Sequence, residues 1–245
     1  MKSETKRFEF DEKKHVYTLD GKRLYGITNV LSVISKPALI QWAANEAVGH
    51  IKNQPLVDGM YTGVTEELLE EARVAHRNKR DKAADKGKDI HAICEGIIKD
   101  AIATNGGFIK VFTHEDPMIQ KFLDWVHANS VMFLSSEYQM FSETMWTAGT
   151  CDFTAVINGK RYMGDIKTYS GIYDRTPFLQ CGGYMIMAEE MQEKFDGAVI
   201  VRIGKPSKKE PDGSFEVKYS YDTEGDKDGF RSALALFKCL EAFKV

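Results

Sequence analysis

Several features are missing from this 245-residue sequence, and each absence excludes something. No stretch approaches the roughly eighteen consecutive apolar residues of a membrane span, so no transmembrane helix and no membrane partner are expected. The opening MKSETKRFEF lacks the apolar centre of a secretory signal. The four cysteines, Cys94, Cys151, Cys181 and Cys239, are scattered and form no CxxC pair. That argues against a zinc ribbon or a disulfide framework and favours a reducing cytoplasm. No GxxxxGK[ST] segment occurs, so the chain has no P-loop. The net charge of −3 gives no overall basic signature, and no repeat or low-complexity linker divides the sequence.

What is present reads as an α/β protein. The length suits a single large domain with an accessory part. We place residues 1–64 in a β/helical accessory region and 65–245 in the core. FEF and HVYTL have strand composition, and Asp20-Gly21 is a turn signal. Ser35 is a candidate cap for a helix with Pro37 in its first turn, covering Ala38–Ile51. Thr65 opens a helical stretch long enough that a break is expected between Arg80 and Gly87. Another helix should start at Asp116-Pro117 and run to about Phe133. SSEYQMF and the two arms around Asn158-Gly159 read as strands, followed by a helix from Thr176-Pro177. The strands AVIVRI and FEVKYSY come next, separated by Pro211-Asp212-Gly213, and a last helix covers about Asp228–Phe243. This order implies a central mixed sheet flanked by helices, after a mostly helical N-terminal region.

The segment GTCDFTAVINGKRYMGDIKT (149–168) carries the strongest local signal. Asn-Gly between alternating strands favours a two-residue type I′ hairpin turn. Counting outward from Ile157 and Lys160, Phe153 meets Gly164 and Asp152 comes to lie opposite Asp165. Opposed residues share a face, and Lys167, two positions on, shares it too. Phe153, Ala155, Ile157, Tyr162 and Ile166 point the other way, as core. Two carboxylates ~5 Å apart repel by roughly 3 kcal/mol at an effective dielectric near 20. Register alone leaves three explanations open: a divalent metal between them, an ion-pair cluster with Lys167, or a bulge that voids the pairing.

The pattern of Asp152, twelve residues, then Asp165-Ile166-Lys167 resembles the core motif of the PD-(D/E)XK nuclease superfamily, with Cys151 where a proline usually stands. Upstream, Gly87 and His91 lie one helical turn apart, with Ala83 and Glu95 at the same spacing. Downstream, Gln180-Cys-Gly-Gly-Tyr184 is a QxxxY pair. A His before the carboxylates and QxxxY after them resembles the RecB-like branch, which includes phage exonucleases and a mitochondrial single-strand exonuclease. ITNVLSVISKPALIQWA is also similar to phage proteins of this group.

The resemblance implies a restriction-endonuclease-like core and a metal-dependent deoxyribonuclease. Its expected setting is DNA replication, recombination or repair in the cytoplasm of a bacterial or phage-infected cell. DNA is then the partner, single strands favoured, together with other replication or recombination proteins. Phosphodiester hydrolysis needs a nucleophilic water and relief of charge on phosphate and leaving oxygens, which Mg²⁺ or Mn²⁺ supplies through carboxylate ligands. Asp152 and Asp165 would be the central ligands. The resemblance adds the Ile166 carbonyl, the His91 ring and, from the preceding strand, Glu137. Lys167 would orient the water or stabilise developing charge, with Gln180 and Tyr184 positioning it or the scissile strand. The cysteine cluster of iron–sulfur relatives is missing, so no such cofactor is expected.

From Arg73 to Lys88 the sequence carries seven Lys or Arg against two Asp. Arg77, Lys79, Arg80, Lys82, Lys86 and Lys88 are therefore candidates for sequence-independent DNA backbone contacts, a solvated helix face being the alternative. Trp42, Tyr169 and Tyr173 are candidates for stacking on unpaired bases or for ordinary packing. Two further readings stand beside the exonuclease: a structure-specific endonuclease on the same fold, and a catalytically silent DNA-binding protein.

Overall fold

The computed structural model describes residues 7–57, 60–61, 63–169, 171–206 and 210–242, with backbone alone for 57, 60, 61 and 83–86. In chain order the elements are β1 (Phe8–Asp11), β2 (Val16–Leu19), β3 (Lys22–Arg23), β4 (Tyr25–Gly26), α1 (Ile27–Val30), α2 (Pro37–Lys52), β5 (Leu56–Val57), β6 (Met60–Tyr61) and α3 (Glu66–Asn105). Then follow α4 (Pro117–Ala128), β7 (Met132–Ser142), β8 (Thr147–Ile157), β9 (Lys160–Lys167), α5 (Thr176–Glu190), β10 (Gly197–Gly204), β11 (Ser214–Ser220) and α6 (Thr223–Glu241).

Two compact units emerge, residues 1–34 with 90–245, and residues 35–89. This division differs from the boundary at 64/65 read from the sequence. The smaller unit holds α2, the β5–β6 pair and the first part of α3.

The larger unit is built on a mixed six-stranded sheet, ordered β11-β10-β9-β8-β4, with β7 also paired to β8. The β9–β10 pair is parallel and joined through α5, whereas β7–β8, β8–β9 and β10–β11 are antiparallel. Apolar side chains leave both faces of the sheet. Phe153, Ala155, Ile157, Tyr162 and Ile166 pack with Ile90, Cys94 and Ile98 of α3 and with Ile119, Phe122 and Leu123 of α4. Met163 and Ile200 pack instead with Ile27, Phe178, Tyr184 and Phe230 from α1, α5 and α6. Burying these stripes is what holds helices on both faces. A separate sheet of β1–β3 turns at Asp20-Gly21, whose φ angles are 49° and 73°, the signature of a type I′ turn.

Four sequence expectations about the helices need correction. No break interrupts α3, which is one 40-residue helix. Its sequence has no proline, and Ile90, Cys94, Ile98 and Ala101 recur on one buried stripe, so length alone was a poor reason for a break. Ser35 does not cap α2: the N-cap is Lys36, without a side-chain bond. Helix α4 stops at Ala128 rather than near Phe133, because Ser130 takes a left-handed φ of 47° before β7 begins. In α6, the Asp222 side chain accepts from Gly225 N at 3.0 Å and starts the helix earlier than its apolar stripe suggests.

The two glycines of the QCGGY segment are packing residues. A Cβ on Gly182 would lie 2.4 Å from the Asp226 carbonyl oxygen on α6. Backbone cannot yield as a flexible side chain does, so Gly182→Ala is expected to destabilise the protein by about 1–3 kcal/mol, the usual cost of overpacking. Urea unfolding measures it, and an unchanged midpoint would mean that α5 and α6 separate there without penalty.

Candidate active site

The Asn-Gly hairpin has the expected register. Asn158 and Gly159 have φ of 51° and 77°, and the ladder runs from Ile157–Lys160 to Phe153–Gly164. Beyond that pair the strands part. β9 continues along β10, pairing Asp165 with Ile200 and Lys167 with Arg202. β8 next meets β4 only at Thr147 and Ala148. Residues 149–152 thus have no ladder partner on that edge, and the Asp152 carboxylate fills part of the opening by accepting from Ile166 N at 2.6 Å.

A second irregularity sharpens the site. Residues two apart on a strand should share a face, yet Phe153 packs in the α3/α4 cluster and Cys151 in the α1/α5/α6 cluster. Their partners on β7 are Ser136 and Tyr138. Both strands therefore change face at Asp152 and at Glu137. Glu137 makes the change with a left-handed φ of 50°, a conformation that costs a non-glycine residue about 1–3 kcal/mol and collects at functional sites.

These elements enclose a cavity of about 280 Å³ lined by Asp152, Asp165, Lys167, His91, Glu137, Gln180 and Tyr184, with Tyr169 among the other lining residues. Gly149 is also in the wall, where a Cβ would meet the Tyr184 ring at 2.6 Å. Inside, Lys167 Nζ stands 2.6 Å from Asp165 Oδ2 and donates to Gln180 Oε1 at 3.1 Å. Gln180 Nε2 donates to Asp165 Oδ1 at 3.2 Å and to the Tyr184 hydroxyl at 2.9 Å. The amide thus ties the lysine, the aspartate and the tyrosine together. The His91 ring nitrogen Nδ1 lies 3.7 Å from Asp152 Oδ2, beyond hydrogen-bond range.

The electrostatics follow from this crowding. Burial, then the neighbouring Asp165, push the Asp152 carboxyl well above the usual carboxylate range, against the pull of Lys167. Burial draws the Lys167 ammonium down, but Asp165 and Asp152 outweigh it and the net shift is upward, so the lysine stays charged. Burial lowers His91, with Asp165 opposing and Lys167 assisting, which favours the neutral ring able to ligate a metal. Burial and then Glu95 raise Glu137.

The donor chemistry here suits a hard divalent cation. Asp165 Oδ2 is buried and, although ion-paired with Lys167, has no hydrogen bond of acceptable geometry. Asp152, Asp165, His91 and the Ile166 carbonyl are the groups that would hold a metal. As placed, no group of three or more His, Cys, Asp and Glu among the described residues is assembled to hold one. The Lys167 ammonium provides the compensating positive charge.

The remaining candidates lie elsewhere or divide. Lys79 and Lys82 line a groove in the smaller unit with Glu46 and His50, and Lys79 is paired with Glu46 at 2.6 Å. At about 100° per residue, Arg77 and Arg80 occupy another side of α3, exposed, with Arg80 paired to Asp81 at 2.9 Å. The basic run is thus two faces, not one stripe. Lys88 is exposed, and the Lys86 side chain lies outside the described residues. Trp42 is edge-on to His76. Tyr173 is 79% exposed, and Tyr169, 40% exposed, reaches the cavity wall. Sequence reasoning missed His15, Tyr17 and Thr150, which also line the cavity.

No family model matches the chain, and no curated relative does. Among solved structures, a protein described as SSO0001 aligns over 86% of this chain and 75% of its own, at 12% identity and a TM-score of 0.38. That likeness is too weak to carry an argument.

Proposed function

We propose that this chain is a divalent-metal-dependent nuclease with a restriction-endonuclease-like core, hydrolysing DNA phosphodiester bonds from ends and favouring single strands. One observation carries the reading: Asp165, Lys167 and Gln180 are bonded together beside Asp152 in a single cavity at a parted pair of strands. The preference for ends and single strands, and a role in bacterial or phage replication, recombination or repair, come from the resemblance of the motif set.

Bound Mg²⁺ or Mn²⁺ supplies Lewis acidity toward phosphate oxygens and makes water nucleophilic at neutral pH. Asp152, Asp165, the Ile166 carbonyl and His91 are the residues that would hold it, with Glu137 at the edge of the set. Lys167, held charged by the two carboxylates, orients the attacking water or stabilises charge developing on the phosphate. Gln180 is a positioning residue: its amide fixes the lysine and the aspartate, and Tyr184 fixes the amide. No helix among the described residues is long and apolar enough to cross a membrane.

End-labelled single- and double-stranded oligonucleotides, each with Mg²⁺, Mn²⁺ or EDTA, test the reading. Cleavage is expected with either metal and not with EDTA, and circular single-stranded DNA should stay intact. Cutting of the circle would make the enzyme an endonuclease. Purified protein that cleaves no DNA with either ion would leave a silent binding protein as the better reading.

A further inference from the structure

Part of the cavity wall comes from the N-terminal hairpin, which no motif singles out. Its turn joins β1 to β2 and ends at His15, an exposed residue that lines the same cavity as Asp152, Asp165 and Lys167. Three observations show a placed side chain rather than a loose one. First, His15 has a left-handed φ of 51°, which His tolerates better than most residues but does not prefer. Second, its ring sits edge-on to both Phe10 and Tyr17, with centroids 5.3 and 5.7 Å away, and those two rings are stacked at 4.4 Å. Third, the Tyr17 hydroxyl is bonded to Thr150 Oγ1 at 2.9 Å, tying the aromatic group to the open edge of β8 two residues from Asp152. The turn is itself closed, with Lys14 N donating to Asp11 Oδ1 at 3.0 Å.

Neither ring nitrogen of His15 has a hydrogen-bond partner among the described residues. A side chain held by two aromatic rings, aimed at a cavity and unbonded at its polar atoms is arranged for something that enters the cavity. We infer that His15 is a substrate-contacting residue, its imidazole donating a hydrogen bond to a phosphate oxygen of the DNA strand next to the scissile group. This inference rests on the nuclease reading. It adds a contact to the same cavity from a different part of the chain. A contact to a phosphate that does not react is made equally in ground state and transition state, so it should appear in KM rather than in kcat.

His15→Gly removes the side chain while keeping the left-handed backbone accessible, and His15→Asn keeps both that backbone and a donor. With single-stranded oligonucleotide substrate, His15→Gly is expected to raise KM roughly tenfold, the effect of losing one hydrogen bond to a charged group, with kcat within about twofold. His15→Asn should recover part of that loss. Thermal melts of both variants check that the hairpin stays folded. The same comparison is made without turnover, as anisotropy of a labelled single strand bound to Asp165→Asn protein with and without His15→Gly. Wild-type KM and binding in a folded His15→Gly variant would overturn the inference while leaving the nuclease reading standing. A fall in kcat at constant KM would also overturn it, since the residue would then act on the reacting centre. Absence of any cleavage or DNA binding by the wild type would instead remove the nuclease reading itself, and His15 with it.

Discussion

Asp165→Asn and Lys167→Met are each expected to lower metal-dependent cleavage of single-stranded DNA by at least about a hundred- to a thousandfold, the cost of removing one preorganised electrostatic group. The two residues form a unit. Asp165 is almost fully buried, with its Oδ2 against Lys167 and its Oδ1 accepting from Gln180. Asn preserves shape and one acceptor but takes away the charge that keeps the lysine protonated and holds a cation. Met keeps the unbranched stem of Lys167, one atom shorter, but leaves a buried carboxylate without its counter-charge, which is costly to stability as well. Losses in such a unit are not additive, so the double variant should be little worse than either single one. Single-turnover rates, measured beside a thermal melt for each variant, check this. A folded Lys167→Met protein with near-normal rate would remove the lysine from the chemistry. Multiplied losses in the double variant would show that the two act separately.

How far the site was legible in the sequence depended on whether local rules governed each part. The Asn158-Gly159 turn imposes its φ angles by itself, so the register through Phe153 and Gly164 followed from counting. What happens one step further did not. The strands part after the Phe153–Gly164 pair, and both β7 and β8 change face at Glu137 and Asp152, neither of them a glycine or proline. A left-handed glutamate is disfavoured locally and is held there by its surroundings, so no propensity argument finds it. Counting placed Asp152 directly opposite Asp165, whereas Asp152 reaches across to Ile166 N. The two carboxylates nevertheless reach one cavity, by a route the alternation rule does not contain. The split of the basic run was readable in principle, since helical periodicity separates Lys79 and Lys82 from Arg77 and Arg80. The expectation of a helix break hid it. His15 left no signal beyond being a histidine in a turn, because its place depends on Phe10, Tyr17 and Thr150 coming together in the fold.

Asp152→Asn should do two opposite things: abolish cleavage and raise stability in metal-free buffer. Burial and the neighbouring Asp165 raise the Asp152 pKa in the folded protein well above its value in the unfolded chain. The folded state therefore holds this proton more tightly. Stability from that source is present below the unfolded value, about 4, and is lost as pH rises through the folded pKa. Above it, the ionised carboxylate weighs against the fold, and an amide of the same shape does not. Asn can still accept from Ile166 N, so the backbone bond at the open strand edge survives. In EDTA at neutral pH the variant should melt a few degrees higher, since about 1 kcal/mol moves the midpoint by about 2–4 °C in a chain of this size. The gap should close as pH falls toward 4. Saturating Mn²⁺ should reverse the order, because a ligand that binds only the folded state stabilises it by an amount that grows with the logarithm of its concentration over Kd, and the variant lacks a carboxylate to bind it. Melting curves at three pH values, with EDTA and with Mn²⁺, contain the whole test. If Asp152→Asn is destabilising in EDTA at neutral pH, the carboxylate is a structural part of the fold. If Mn²⁺ raises both proteins equally, Asp152 does not hold the metal.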